Sequence, residues 1–155
     1  MNWLVDMFQN PVVVTGLSSW GFAQVLKTII HIVIYKKLDL KRLFGDGGMP
    51  SGHSATVTSI AVIIALLHGT GSTEFAISAI MAIIVCHDAT GVRLETEKQA
   101  FIINELVKAF SELSEEKLPE VRLKQFVGHT PIQVAAGVIL GVCNAFLMYW
   151  LFTGI

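Results

Sequence analysis

The chain has 155 residues, of which 53% are hydrophobic and only 15% charged, with a mean hydropathy of +0.63. That balance excludes an average soluble domain, and the net charge of -1 offers nothing to recruit nucleic acid. Cys86 and Cys143 both lie inside apolar runs, so they supply neither a disulfide framework nor a zinc spacing.

The length fits a single domain, 1–155, and the N-terminus has neither the basic region nor the cleavage site of a signal peptide. A helix that crosses a bilayer needs roughly 20 mostly apolar residues, and four stretches come close. The first covers 11–35, with Asn10 as N-cap and Pro11 in the first helical position. Gly16, Ser18 and Ser19 leave a break in it open. The second, 52–68, follows a Pro-Ser-Gly-His turn. The third, 74–90, follows Gly69-Thr70-Gly71-Ser72-Thr73, a short polar reversal. The fourth, 130–153, opens on Thr130 as N-cap and Pro131. The expected fold is all-α, an integral membrane bundle of four transmembrane helices, with five as the alternative.

Charge collects in the connections. Lys36, Lys37, Lys41 and Arg42 follow the first span, and Arg93, Lys98, Lys108, Lys117, Arg122 and Lys124 lie between the third and fourth. With four spans both loops fall on one side, which the positive-inside rule makes cytoplasmic. His53, Arg93 and His129 then emerge on that same face. Within the long loop, 97–118 reads as an amphipathic cytoplasmic helix, with Phe101, Ile102, Leu106, Phe110 and Leu113 on its apolar side. Gly137-x-x-x-Gly141 in the last span is a close-packing pattern.

Two turns concentrate the reactive residues, Pro50-Ser51-Gly52-His53 and Gly128-His129-Thr130-Pro131. Each sets a histidine at the mouth of a helix, beside unpaired N–H groups and the positive end of the helix dipole, where an anion is welcome. Glycines 45, 47, 48 and 52 let the backbone approach such an anion, and Ser51 and Ser54 add hydroxyls. Gln24, Lys27 and His31 share a helix face and form a polar stripe expected to point into the bundle, with Lys27 facing a bound phosphate. Asn144 is expected to bond between helices. His68 reads as a helix-end residue, and Gln99 and Asn104 would reach the site if the loop helix folded back. No metal cluster is visible, since His87 and Asp88 are adjacent and point apart.

Pro50-Ser51-Gly52-His53 resembles the second signature of the type 2 phosphatidic acid phosphatase superfamily, which also includes the vanadium haloperoxidases. Gly128-His129-Thr130-Pro131-x-Gln133-Val134-x-x-Gly137 resembles the third. Three blocks in order, Gly47-Gly48-Met49-Pro50, Asp88-Ala89-x-Gly91-Val92-Arg93 and Gly128-His129-Thr130-Pro131, resemble the divergent branch, small bacterial and plant membrane proteins. The resemblance runs from about Ala23 to Gly141.

The resemblance implies a multi-pass cell-membrane phosphatase that removes a phosphomonoester or pyrophosphate from a lipid, with no cofactor. It casts His129 as the nucleophile that forms a phosphohistidine, His53 as proton donor to the leaving alcohol, and Arg93 as the phosphate clamp. The segment 94–128 is then an insertion. Lys27 with Arg42 stands in for the first motif, with Lys41 as rival, and Ser51 and Gly52 line the phosphate turn. The partners implied are a lipid phosphate and membrane lipids; separately, so few helices leave room for a homodimer that completes the bundle, through Gly137 and Gly141. Gln133 departs from the pattern, because the superfamily has an acid there to orient the nucleophile. A glutamine carbonyl can accept the imidazole N–H but brings no charge. Three explanations are open: a slow enzyme, a non-catalytic protein that binds lipid phosphate or acts as a scaffold, or an engineered trap. Asp88 is the other candidate for the orienting acid.

Overall fold

A computed structural model describes residues 2–36, 48–113, 123 and 128–154. All regular structure among the described residues is helical: α1 (Trp3–Gln9), α2 (Pro11–Tyr35), α3 (Gly52–His68), α4 (Thr73–Thr90), α5 (Val92–Leu113) and α6 (Pro131–Thr153). Among the described residues three stretches are long and apolar enough to cross a membrane: α2, α6 and Thr73–Leu113, which contains α4 and α5. The 17-residue α3 is also apolar but spans only about 25 Å at about 1.5 Å per residue.

Local chemistry sets the helix ends. Asn10 accepts the N–H groups of Val12 and Val13 at 2.9 and 3.3 Å, and Pro11 needs no partner there. The break left open near Gly16 does not occur, and α2 runs unbroken for 25 residues. In its interior the Ser18 and Thr28 hydroxyls turn back onto the Thr15 and Gln24 carbonyls, so neither is left bare in an apolar medium. Ser51 caps α3 and Ser72 caps α4, through the N–H groups of Ser54 and Phe75. The reversal at 69–72 joins two antiparallel helices. The short α1 is an addition to the sequence reading, seven residues with Asp6 in the first turn. The loop helix starts earlier than expected, at Val92 in place of 97, because α4 carries on almost unbroken: Gly91 N–H bonds to the His87 carbonyl and Glu95 N–H to the Gly91 carbonyl.

The bundle is polar inside and apolar outside. Thr15, Ser19, Ser59 and Asn144 are buried between α2, α3 and α6. Ser19 donates to the Ala55 carbonyl at 3.0 Å, and Asn144 Nδ2 donates to the Thr15 carbonyl and the Ser18 hydroxyl at 3.0 and 3.1 Å. Large apolar side chains instead line the outside, among them Ile80, Ile83 and Ile84 on α4 and Ile139, Phe146 and Trp150 on α6. Such a surface belongs in lipid, where packing and interhelical hydrogen bonds hold helices together.

Gly137 and Gly141 decide how α6 sits. A Cβ at Gly137 would fall 2.5 Å from the Ser51 carbonyl oxygen, and one at Gly141 2.5 Å from that of Ala55. The glycine stripe is therefore used inside the chain, against α3. These contacts run α3 and α6 parallel, while Gly16 against Ile60 and Ser19 against Ala55 run α2 antiparallel to α3. One end of the bundle thus gathers the first turns of α3 and α6, the last third of α2 and the α4–α5 corner. Ile63, Ile64 and Ala145 make the small apolar core toward the other end.

Candidate functional site

At the gathered end, Ser51 N–H donates to the Gln133 carbonyl at 3.0 Å and ties the starts of α3 and α6 together. Two helix N-termini then point at one place, and their dipoles add. Lys27 reaches the same place from α2. Its Nζ lies 3.8 Å from where a Cβ of Gly52 would be, and its stem passes 4.0 Å from the corresponding point at Gly48, where φ is +101°. Lys27 is 7% exposed, so its ammonium is held inside the bundle and does not snorkel to the surface. An anion at this point would meet both the Lys27 ammonium and the positive end of α3.

His129 is 1% exposed. Its backbone N–H donates to the Ala89 carbonyl at 3.1 Å, while neither ring nitrogen has a hydrogen-bond partner among the described residues. Burial lowers its pKa from the ordinary 6.5, and the charges of Lys27, His53 and Arg93 lower it further. The nearby Gln133 side chain works the other way, without reaching hydrogen-bond geometry to either ring nitrogen. The ring is therefore neutral at physiological pH, the form that carries a nucleophilic lone pair.

His53 lies on the exposed side of the first turn of α3. Its ring centroid is 6.3 Å from that of His129, with the planes inclined at 54°. An attacking atom needs about 3–3.5 Å to its target. A proton donor needs about 2.6–3.2 Å to the leaving atom. Two rings some 6 Å apart have room for one tetrahedral group between them.

The remaining candidates take other positions. Ser51 is buried, and its hydroxyl oxygen accepts from both the N–H and the hydroxyl of Ser54, so it acts as a cap. Gln133 Oε1 accepts the Thr130 N–H at 3.0 Å within a capping box, so its side chain serves the helix start and does not orient His129. The pattern Thr130-Pro131-Ile132-Gln133 carried that signal in the sequence. Asp88 does not orient the His129 ring either, because its Oδ2 takes the Arg93 Nε–H at 2.7 Å. Arg93 sits at the α4–α5 corner, about 40% exposed, near enough for its charge to act on His129. Asn104 does not fold back to the site, since its amide bonds to the N–H and carbonyl of Leu123 at 3.0 and 3.1 Å. Arg42 and its rival Lys41 lie outside the described residues. No group of three or more metal-ligating side chains occurs among the described residues.

The apolar helices define a multi-pass membrane protein, and two histidines and a lysine gather at one end of its bundle. The chain belongs to the Divergent PAP2 family, whose sequence pattern matches residues 8–144. It is also 37% identical over 157 aligned residues to the protein named "Uncharacterized membrane protein YuiD" from Bacillus subtilis (strain 168), covering 96% of this chain and 99% of that protein. No solved structure matches it.

Proposed function

We propose that the chain is a lipid-phosphate phosphatase that works through a phosphohistidine on His129. The observation that carries the reading is the buried His129 ring, whose two nitrogens have no hydrogen-bond partner among the described residues, with its centroid 6.3 Å from that of His53 near the start of α3, where the Lys27 ammonium lies. Phosphoryl transfer asks mainly for positioning and charge neutralisation, which two helix ends, Lys27 and Arg93 supply. In the first step the His129 lone pair attacks phosphorus, the P–O bond to the lipid breaks, and the His53 imidazolium gives its proton to the leaving oxygen. In the second, neutral His53 takes a proton from water, whose oxygen attacks phosphorus, and the P–N bond breaks to release phosphate and regenerate His129.

In this reading α2, α3, α4 and α6 are the four spans, α3 being short because its start is recessed from the membrane surface. Lys27 lies eight residues before the end of α2, which puts the site about 12 Å below that end. A recessed site between lipid-facing helices suits an amphiphilic phosphate such as phosphatidic acid, phosphatidylglycerol phosphate or a polyprenyl phosphate. The positive-inside rule, applied to the basic loops, supports a site on the cytoplasmic side of the cell membrane. A second reading, a non-catalytic lipid-phosphate binder, is favoured by Gln133, whose side-chain oxygen is spent on the helix cap.

The deciding experiment is phosphate release from a panel of lipid phosphates by the chain, Gln133→Glu and His129→Ala in detergent. Turnover by the chain or the Glu variant, lost in the Ala variant, supports the phosphatase. Vanadate binding without turnover in all three replaces it with the binder.

A further inference from the structure

We infer that Glu97 on α5 is a positioning residue for His129, acting through the backbone of Gly128. This rests on the reading of His129 as nucleophile. Among the described residues no side chain hydrogen-bonds the ring of His129, with Gln133 Oε1 on the Thr130 N–H and Asp88 on Arg93. The ring's place is therefore set by the backbone of the Gly128–His129 turn, and the α4–α5 corner grips that turn. Glu97 Oε2 accepts the Gly128 N–H at 3.0 Å, and the Ala89 carbonyl accepts the His129 N–H at 3.1 Å. Gly128 lies so close to α5 that a Cβ there would fall 2.4 Å from the Leu94 Cα and 2.7 Å from its nitrogen. The Asp88–Arg93 pair closes the corner across Gly91.

Glu97 makes the side-chain bond to the Gly128 peptide, on the N-terminal side of His129, and that bond is charge-assisted and only partly exposed. It supplies from the backbone side the restraint that an acid bonded to the imidazole would give directly. The family's orienting acid acts on the ring, whereas Glu97 acts on the peptide that carries it.

The test uses the full chain in lipid nanodiscs, comparing the parent, Glu97→Ala, Glu97→Gln, and Glu105→Ala as a control on an exposed turn of α5. Two readouts need no catalysis: deuterium exchange at the Gly128 amide, and the rate at which diethylpyrocarbonate modifies His129, resolved by peptide mass. Loss of a hydrogen bond to a charged group should speed both by about tenfold or more in Glu97→Ala. Glu97→Gln, which keeps an acceptor oxygen, should stay near the parent, as should the control. A lipid-phosphatase assay should show kcat falling in Glu97→Ala with KM little changed, and Gln restoring most of it. Equal rates in the parent and Glu97→Ala overturn the proposal, and so does equal acceleration in the Ala and Gln variants. Should Glu97→Ala fail to fold, Glu97→Asp withdraws the carboxylate by one methylene and is held to the same two rates. If the parent itself releases no phosphate, the phosphatase reading fails, while exchange and modification still decide the clamp.

Discussion

Replacing Gly137 by alanine tests the packing that makes the site. The new Cβ would lie 2.5 Å from the Ser51 carbonyl oxygen, 3.1 Å from the Ser54 Cβ and 3.3 Å from the Ala55 nitrogen. Carbon–oxygen contacts settle at about 3.3–3.6 Å, so α3 and α6 must part by about 1 Å. Two of the three obstacles are backbone atoms that cannot swing away. Overpacking of this kind costs about 1–3 kcal/mol. In a chain of this size that is a fall in Tm of roughly 2–12 °C. The same displacement stretches the 3.0 Å bond from Ser51 to Gln133 and moves His53 relative to His129, and a shift of about 1 Å at a reacting pair can cost about 100-fold in turnover. The control is Gly21→Ala on α2, where a Cβ would meet nothing within 4 Å. There alanine should stabilise the helix by about 0.5–1 kcal/mol. Both are read by thermal unfolding in one detergent. A Gly137→Ala protein that melts at or above the parent temperature would refute this account of how α6 docks on α3.

Three further outcomes are expected. Lys27→Met should cut vanadate affinity about 100-fold or more, because it removes the cation beside the start of α3; isothermal titration checks it. The lowered pKa of His129 means that the native state holds fewer protons than the unfolded chain between the depressed value and 6.5, so stability rises with pH through that window and is lost as pH falls back through it. Tm measured between about pH 5 and pH 7 should therefore climb less steeply in His129→Asn than in the parent. Asn144→Leu removes two interhelical bonds, to Thr15 and Ser18. At about 0.6 kcal/mol for each such bond in a bilayer protein, the Tm should drop by a few degrees, and an unchanged Tm would show that the polar layer does not hold α6 to α2.

Much of the fold was legible because lipid imposes simple rules. Long apolar runs must be helices, and Asn10, Ser51, Ser72 and Thr130 mark where they start. The inward face of Lys27 and the interhelical role of Asn144 followed from the cost of polar groups in hydrocarbon. The partners of those polar groups were not legible. A Gly-x-x-x-Gly stripe says that something packs closely but not what, and here it is α3 of the same chain. Asp88, Arg93 and Gln133 each have two good uses by residue type, and only their neighbours choose between them: an ion pair at the α4–α5 corner and a helix cap.

The amino-acid sequence by itself determined that this is a helical membrane protein whose two histidines open helices, because apolar run length and capping chemistry are local properties. The tertiary structure alone decided that those two helix starts converge on one buried lysine, and that the turn bearing His129 hangs from the α4–α5 corner. Such pairings depend on which backbones approach within hydrogen-bond distance, and the glycines that permit the approach do not name the partner.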